Sequence, residues 1–194
     1  MSNITKIGLS LIGYAFLFSG AVCMVAPPAA ASDYVANFQR IPLVDNRPPQ
    51  VASWDLTPSV IVCEYAPVSQ AQINSAVGFW KKMGYRFYRT QYKYDPLGKC
   101  RSSAPKGYII IHLITADIKM GDGDLAQAHF YVDNDTNIIE WAIIYIRPDL
   151  RDTVLEHELG HALGFLHYNK INHLMNQKWT QGGWDTEGLE NKQR

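Results

Sequence analysis

The sequence predicts an α+β domain around a buried, mixed sheet of five strands, with a helix that carries the chemistry, a backing helix and a short C-terminal helix. Three observations carry this reading. A strand, a helix and two further strands follow one another between residues 59 and 114, the order of a βαβ unit with parallel pairing. Two strand-like segments then flank the turn Asn134-Asp135-Thr136-Asn137, which makes a hairpin. After the hairpin, Pro148 and Asp149 open a helical segment expected to run to about Leu163.

Taken in order, the run from Ser59 to Tyr65 is β-branched and suits a buried strand. Ile73, Ala76, Val77, Trp80 and Met83 recur at helical spacing, Ser69 fits the N-cap, and Lys81, Lys82 and Gly84 supply stop signals. Tyr85 to Tyr92 alternates aromatic and polar residues and reads as the second strand. A loop with Pro96, Gly98, Cys100 and Pro105 leads to Tyr108–Ile114, a nearly all-apolar third strand. The Gly-Asp-rich loop Gly121–Asp124 precedes the hairpin strands, Ala126–Asp133 and Ile138–Ile146. Asp185 or Thr186 is the expected cap of the last helix.

At 194 residues the chain fits one domain, and 47% hydrophobic residues leave enough apolar surface for a core. Lys plus Arg and Asp plus Glu number 18 each, with no long run of one sign. That excludes a broad electrostatic footprint for nucleic acid or an anionic membrane, and a monomer acting on a protein or peptide fits better.

Residues 1–31 read as a signal peptide: Lys6 precedes an apolar run from Ile7 to Ala26, and Ala29-x-Ala31 meets the small-x-small rule for a cut after Ala31. An uncleaved anchor is the rival, since the run is about long enough to span a bilayer, but Gly13, Gly20 and the Pro27-Pro28 pair favour cleavage. Cys23 is a poor lipid-attachment site because Val22 precedes it. The mature chain is then secreted or periplasmic. Cys63 and Cys100 remain as an even pair outside the reducing cytoplasm, so a disulfide is expected, with two buried free thiols as the alternative. Residues 32–53, with three prolines, read as an extended leader or short propeptide, and residues 54–194 as the catalytic domain.

The chemistry is concentrated in His157-Glu158-Leu159-Gly160-His161-Ala162-Leu163-Gly164-Phe165-Leu166-His167. Residues four apart on a helix lie one above the other, so His157 and His161 can reach one ion. Glu158, offset by one position, can sit beside a metal-bound water as general base without being a ligand. A helix continuing past His161 would carry residue 167 away by about 9 Å of rise. Gly164 can take a positive φ, end the helix and let the chain return His167 as third ligand. Three imidazoles leave the fourth tetrahedral position of a zinc ion open, the design of catalytic sites.

With Met175 eight residues after His167, this run resembles the signature of the metzincin zinc peptidases, H-E-x-x-H-x-x-G-x-x-H followed by a Met-turn. The spacing is closest to the matrixin-like branch. The resemblance implies a five-stranded mixed sheet with two main helices, an antiparallel fourth strand at the sheet edge that binds substrate backbone, and Met175 packed beneath one catalytic Zn2+. It also implies that the loop from Asn176 to Trp184 walls the pocket for the residue after the scissile bond, shaped by Trp179 or Trp184. The chain departs from matrixins at Tyr168, at Asn176-Gln177 after the Met, and in lacking a propeptide Cys. Gln177 stands where astacins and serralysins have a Tyr ligand, so no fifth protein ligand is expected. Some short-leader members use an Asp as zinc cap, for which Asp45 is preferred to Asp33.

Other features carry blander readings. His112, His129 and His173 do not match the ligand pattern of a second, structural zinc. Gly121–Asp124 offers carboxylates to Ca2+, but a solvated turn is the preferred reading. Glu156 reads as helix surface. The expected activity is zinc-dependent endopeptidase, with a zinc hydrolase of a non-protein amide and a catalytically silent peptide-binding module as alternatives.

Overall fold

Among the described residues, five strands and two α-helices form in the order β1 (Ser59–Val62), α1 (Gln70–Lys82), β2 (Thr90–Tyr92), β3 (Tyr108–Leu113), β4 (Ala126–Asp133), β5 (Ile138–Ile146) and α2 (Val154–Ala162). The computed structural model describes residues 47–191, apart from 94, 96–99, 101–103, 117, 122 and 134. The expected signal peptide, Cys23, Asp33 and Asp45 lie outside the described residues. The strands make one mixed sheet in the order β2-β1-β3-β5-β4. β1 runs parallel to β2 and β3, β3 runs parallel to β5, and β4 is antiparallel to β5 at the edge. This is the α+β architecture with a five-stranded mixed sheet that the sequence predicts.

The central strands are apolar throughout because both of their faces are covered. Val60, Val62, Ile109, Ile111, Ala142 and Ile144 face the helices and pack with Trp80 and Leu159. Ile110, Ile143 and Tyr145 point the other way, into a smaller cluster with Cys63 and Ala104. α1 starts at a reciprocal cap: the Ser69 hydroxyl accepts from the Gln72 N–H, and the Gln72 side chain accepts from the Ser69 N–H. Its buried stripe of Ile73, Ala76, Val77 and Trp80 lies on α2 and the sheet. Trp80 fixes the two helices together, since its indole N–H donates to the Glu156 carbonyl at 2.8 Å and its ring stacks on Phe165.

Several boundaries differ from those expected. Only Thr90–Tyr92 of the second strand is laddered; the Tyr85 and Phe87 rings are buried in the core, so their alternation reflects burial without strand pairing. α2 begins at Val154, six residues after Pro148, because Thr153 at φ +68° cannot continue a right-handed helix. The C-terminal helix is absent among the described residues. Asp185 instead forms a bridge with His173, and its carbonyl accepts the Leu174 N–H at 2.9 Å, so the backbone there is already paired. A 3-10 turn, Trp179–Gln181, is the only helical element after α2 among the described residues. Part of the expected leader also belongs to the fold: Pro48 and Ala52 are buried, and Gln50 and Ser53 bridge to Phe165 and Ile138.

Cys63 and Cys100 are bonded on the second face of the sheet, closing a loop of 37 residues that includes α1. On the chain-entropy estimate such a loop stabilises by roughly 3 to 4 kcal/mol. Reduction, or Cys100→Ala, should lower the thermal midpoint accordingly, and mass spectrometry of the unreduced protein should show a loss of about two hydrogens relative to the dithiol. Equal midpoints with and without reductant would mean that the bridge adds no stability.

Candidate metal centre

α2 presents His157 and His161 on one face, and its end delivers the third histidine. Gly164 has φ +93°, its N–H donates to the His161 carbonyl at 2.8 Å, and the Phe165 N–H donates to the Gly160 carbonyl at 3.1 Å. These are the paired bonds of a Schellman ending, in which the residue after the cap takes the left-handed conformation. The reversal expected at Gly164 therefore exists, and it brings His167 back. The His161 Nε2 lies 3.0 Å from the His157 Nε2 and 3.1 Å from the His167 Nε2.

The orientation of the rings says what this cluster can hold. The His157 Nδ1 donates to the Leu174 carbonyl and the His161 Nδ1 to the Phe165 carbonyl, each at 2.7 Å. A carbonyl oxygen only accepts, so both Nδ1 atoms carry protons and the neutral rings present bare Nε2 lone pairs to each other. Burial, joined for His161 and His167 by the neighbouring imidazoles, pushes all three rings down, His167 to about 4 and His161 well below its ordinary value. Protonation is thus disfavoured. Lone pairs facing at 3.0 Å repel unless a cation lies among them. Zinc held at about 2.0 to 2.1 Å by tetrahedral nitrogens sets them roughly 3.3 Å apart, so the donor set fits that ion within a few tenths of an ångström.

Glu158 is buried beside this cluster, and its Oε2 has no hydrogen-bond partner. Burial pushes its carboxyl up to about 8, while the N–H of Ala128, which faces it from β4, pulls the other way. That N–H is available because β4 alternates. The Leu125 carbonyl bonds inward to the Arg147 N–H, so residues in the phase of Ala126 and Ala128 turn their backbone groups to the outer edge. A bound cation would favour the carboxylate and lower its pKa again.

The layer beneath is closely fitted. A Cβ on Gly160 would meet the Met175 Sδ at 2.5 Å and the Trp80 ring at 2.9 Å, so only Gly lets fully buried Met175 lie under the helix. His173 pins that turn: its Nδ1 accepts the Met175 N–H at 3.0 Å, and its Nε2 donates to the Glu187 carbonyl at 3.1 Å. His129 and His112 instead pack on opposite sides of Tyr145. Among the described residues these three histidines form no common cluster; the group Cys63, Cys100 and His112 contains the disulfide. Asp124 accepts the Gly121 N–H at 2.8 Å and closes its own turn, while Asp122 lies outside the described residues. Glu156 is buried, contrary to the surface position expected, and burial pushes its carboxyl up.

Glu158 and the three histidines line a cleft of about 370 Å³, together with Ala126–Phe130 of β4, Leu174 and Trp179. The Trp179 indole donates to the Asp152 carbonyl at 3.0 Å, and the Arg151 guanidinium sits 4.6 Å above its ring, which fixes it as a wall. Trp184 packs on Phe79 away from the cleft, so of the two tryptophans expected to shape it only Trp179 does. Sequence reasoning missed the Leu174 and Phe165 carbonyls that orient the imidazoles. No sequence signal marks them, because every residue has a carbonyl. Compared with known proteins, the chain matches no family model and no curated relative.

Proposed function

We propose that the protein is a zinc-dependent endopeptidase of the metzincin type, secreted or periplasmic, with His157, His161 and His167 as zinc ligands and Glu158 as general base. The observation that carries this is the convergence of three Nε2 atoms, 3.0 and 3.1 Å apart in successive pairs, those of His157 and His161 bare, beside a carboxyl group with one unpartnered oxygen. When bound, zinc supplies a Lewis acid that acidifies water and polarises a carbonyl. Glu158 takes the proton of the attacking water and delivers it to the leaving amine, a role open to a carboxylate that lines the cleft with the three histidines and keeps one oxygen unpartnered. Ala126 and other residues of its phase on β4 offer backbone groups to an extended peptide, which docks as an added strand along the edge.

The test is hydrolysis of casein or gelatin by the purified mature protein with and without a chelator. Activity should vanish with the chelator and return with Zn2+. Zinc binding without hydrolysis of any protein, but with hydrolysis of small amides, would move the assignment to a non-protein amidase. Zinc binding with neither activity would make the chain a silent peptide-binding module.

A further inference from the structure

We infer that residues Pro49–Trp54 are a positioning strap for the metal centre, with Gln50 and Trp54 as its side-chain contributors; this rests on the reading of the three histidines as zinc ligands. A helix ends with carbonyls that lack intrahelical partners, and when buried they must be satisfied elsewhere. At the end of α2 the Schellman pair uses the carbonyls of Gly160 and His161. The next three all go to the strap. The Trp54 indole N–H donates to the Ala162 carbonyl at 2.8 Å, the Gln50 amide to the Leu163 carbonyl at 3.0 Å, and the Val51 N–H to the Gly164 carbonyl at 2.9 Å. A fourth bond runs the other way, from the Leu166 N–H to the Pro49 carbonyl at 2.9 Å.

These bonds lie between the second and third histidines. Ala162 directly follows His161 and Leu166 directly precedes His167, so the strap fixes the backbone on which both imidazoles hang. The Phe165 carbonyl that orients the His161 ring lies inside the same clamped segment. The strap also fits too closely to slide: a Cβ on Gly164 would lie 2.1 Å from the Ala52 carbonyl oxygen. Its residues therefore act on the metal through ligand geometry. One corollary concerns maturation. A leader removed by processing must end before Pro49, because a chain shortened to Ala52 keeps only the Trp54 bond of the four.

The test uses Trp54→Phe, which keeps a ring and removes the donor, and Gln50→Glu, which keeps the length and sets a carboxylate against a carbonyl. Zn2+ affinity is measured by competition with a chromophoric chelator, the visible absorption of the Co2+-loaded protein reports ligand geometry, and melting of the metal-free protein reports folding. Each variant should bind Zn2+ about tenfold more weakly, in the range found for groups that orient metal ligands, and should shift the Co2+ absorption. If melting falls while Zn2+ affinity and the Co2+ spectrum match wild type, the strap is merely structural and the inference is overturned. No change in any of the three measurements overturns it as well. Should Trp54→Phe not fold, Gln50→Glu, altered at an exposed side chain, decides the matter alone. If wild type itself binds no stoichiometric zinc, the proposed function fails first and the inference falls with it.

Discussion

Glu158→Ala is expected to keep about one zinc per chain while losing peptide hydrolysis by at least roughly 10²- to 10⁴-fold, the range for removal of a general base. The separation follows from the geometry. Three Nε2 atoms converge without help from the carboxylate, and the rings of His157 and His161 are held by the carbonyls of Leu174 and Phe165, not by Glu158. Removing a buried carboxyl also leaves space and deprives the Ala128 N–H of the group it faces. Glu158→Gln therefore makes the cleaner comparison, since its amide oxygen still accepts there but cannot take a proton. Both variants should be equally inactive, with Glu158→Gln the more stable. His161→Ala should lose zinc and activity together, because two imidazoles bind far more weakly than three. Metal content by elemental analysis, alongside turnover of a casein-derived peptide, distinguishes the cases. Loss of zinc from Glu158→Gln as readily as from His161→Ala would make Glu158 a ligand, and full activity would remove it from the mechanism.

Much of this site was legible in the sequence because its parts are coded by side-chain type and spacing. His157 and His161 declare a shared helical face, Gly164 declares a turn that needs positive φ, and Ser69 with Gln72 declares a helix start. The parallel core of the sheet was legible in Val60–Val62 and Ile109–Ile111, whose unbroken apolar runs fit strands covered on both faces. What the sequence hid was mostly main-chain partnership. Nothing in Pro49-Gln50-Val51-Ala52 distinguishes a strap from a leader, since two of its four bonds are backbone to backbone. The start of α2 was missed because Pro148 and Asp149 favour a helix locally, whereas the left-handed Thr153 is imposed by the tertiary fold. Trp179 and Trp184 could not be told apart by type. The first is drawn to the cleft by the Asp152 carbonyl and Arg151, the second to α1 by Phe79. The last helix is expected from a capping residue, Asp185, whose carboxylate does accept the Glu187 N–H at 3.1 Å and pairs with Lys170 at 2.7 Å, yet no helix follows among the described residues.

Gly164→Ala should be strongly destabilising, costing about 4 to 5 kcal/mol from backbone strain and lost hydrogen bonds together. Two causes add. At φ +93° a residue with a Cβ is strained, by about 1 to 2 kcal/mol for an L-residue in left-handed backbone. The new methyl would also stand 2.1 Å from the Ala52 oxygen and 2.8 Å from its carbonyl carbon, and backbone cannot rotate away as a side chain can. Relief requires the strap to leave, which forfeits its hydrogen bonds to the end of α2 at about 1 kcal/mol each. For a domain of this size the melting midpoint should fall by roughly 10 to 20 °C. Gly160→Ala is the internal comparison. Its methyl would meet the Met175 Sδ at 2.5 Å and the Trp80 ring at 2.9 Å, but an unbranched thioether yields more readily than backbone. It should cost less, and it should disturb the packing under the helix more than the position of His167. Zinc affinity measured on both variants completes the contrast, with the larger loss expected for Gly164→Ala. Equal melting midpoints for the two would mean that the backbone at Ala52 gives way freely, and the strap would then not hold the third ligand in place.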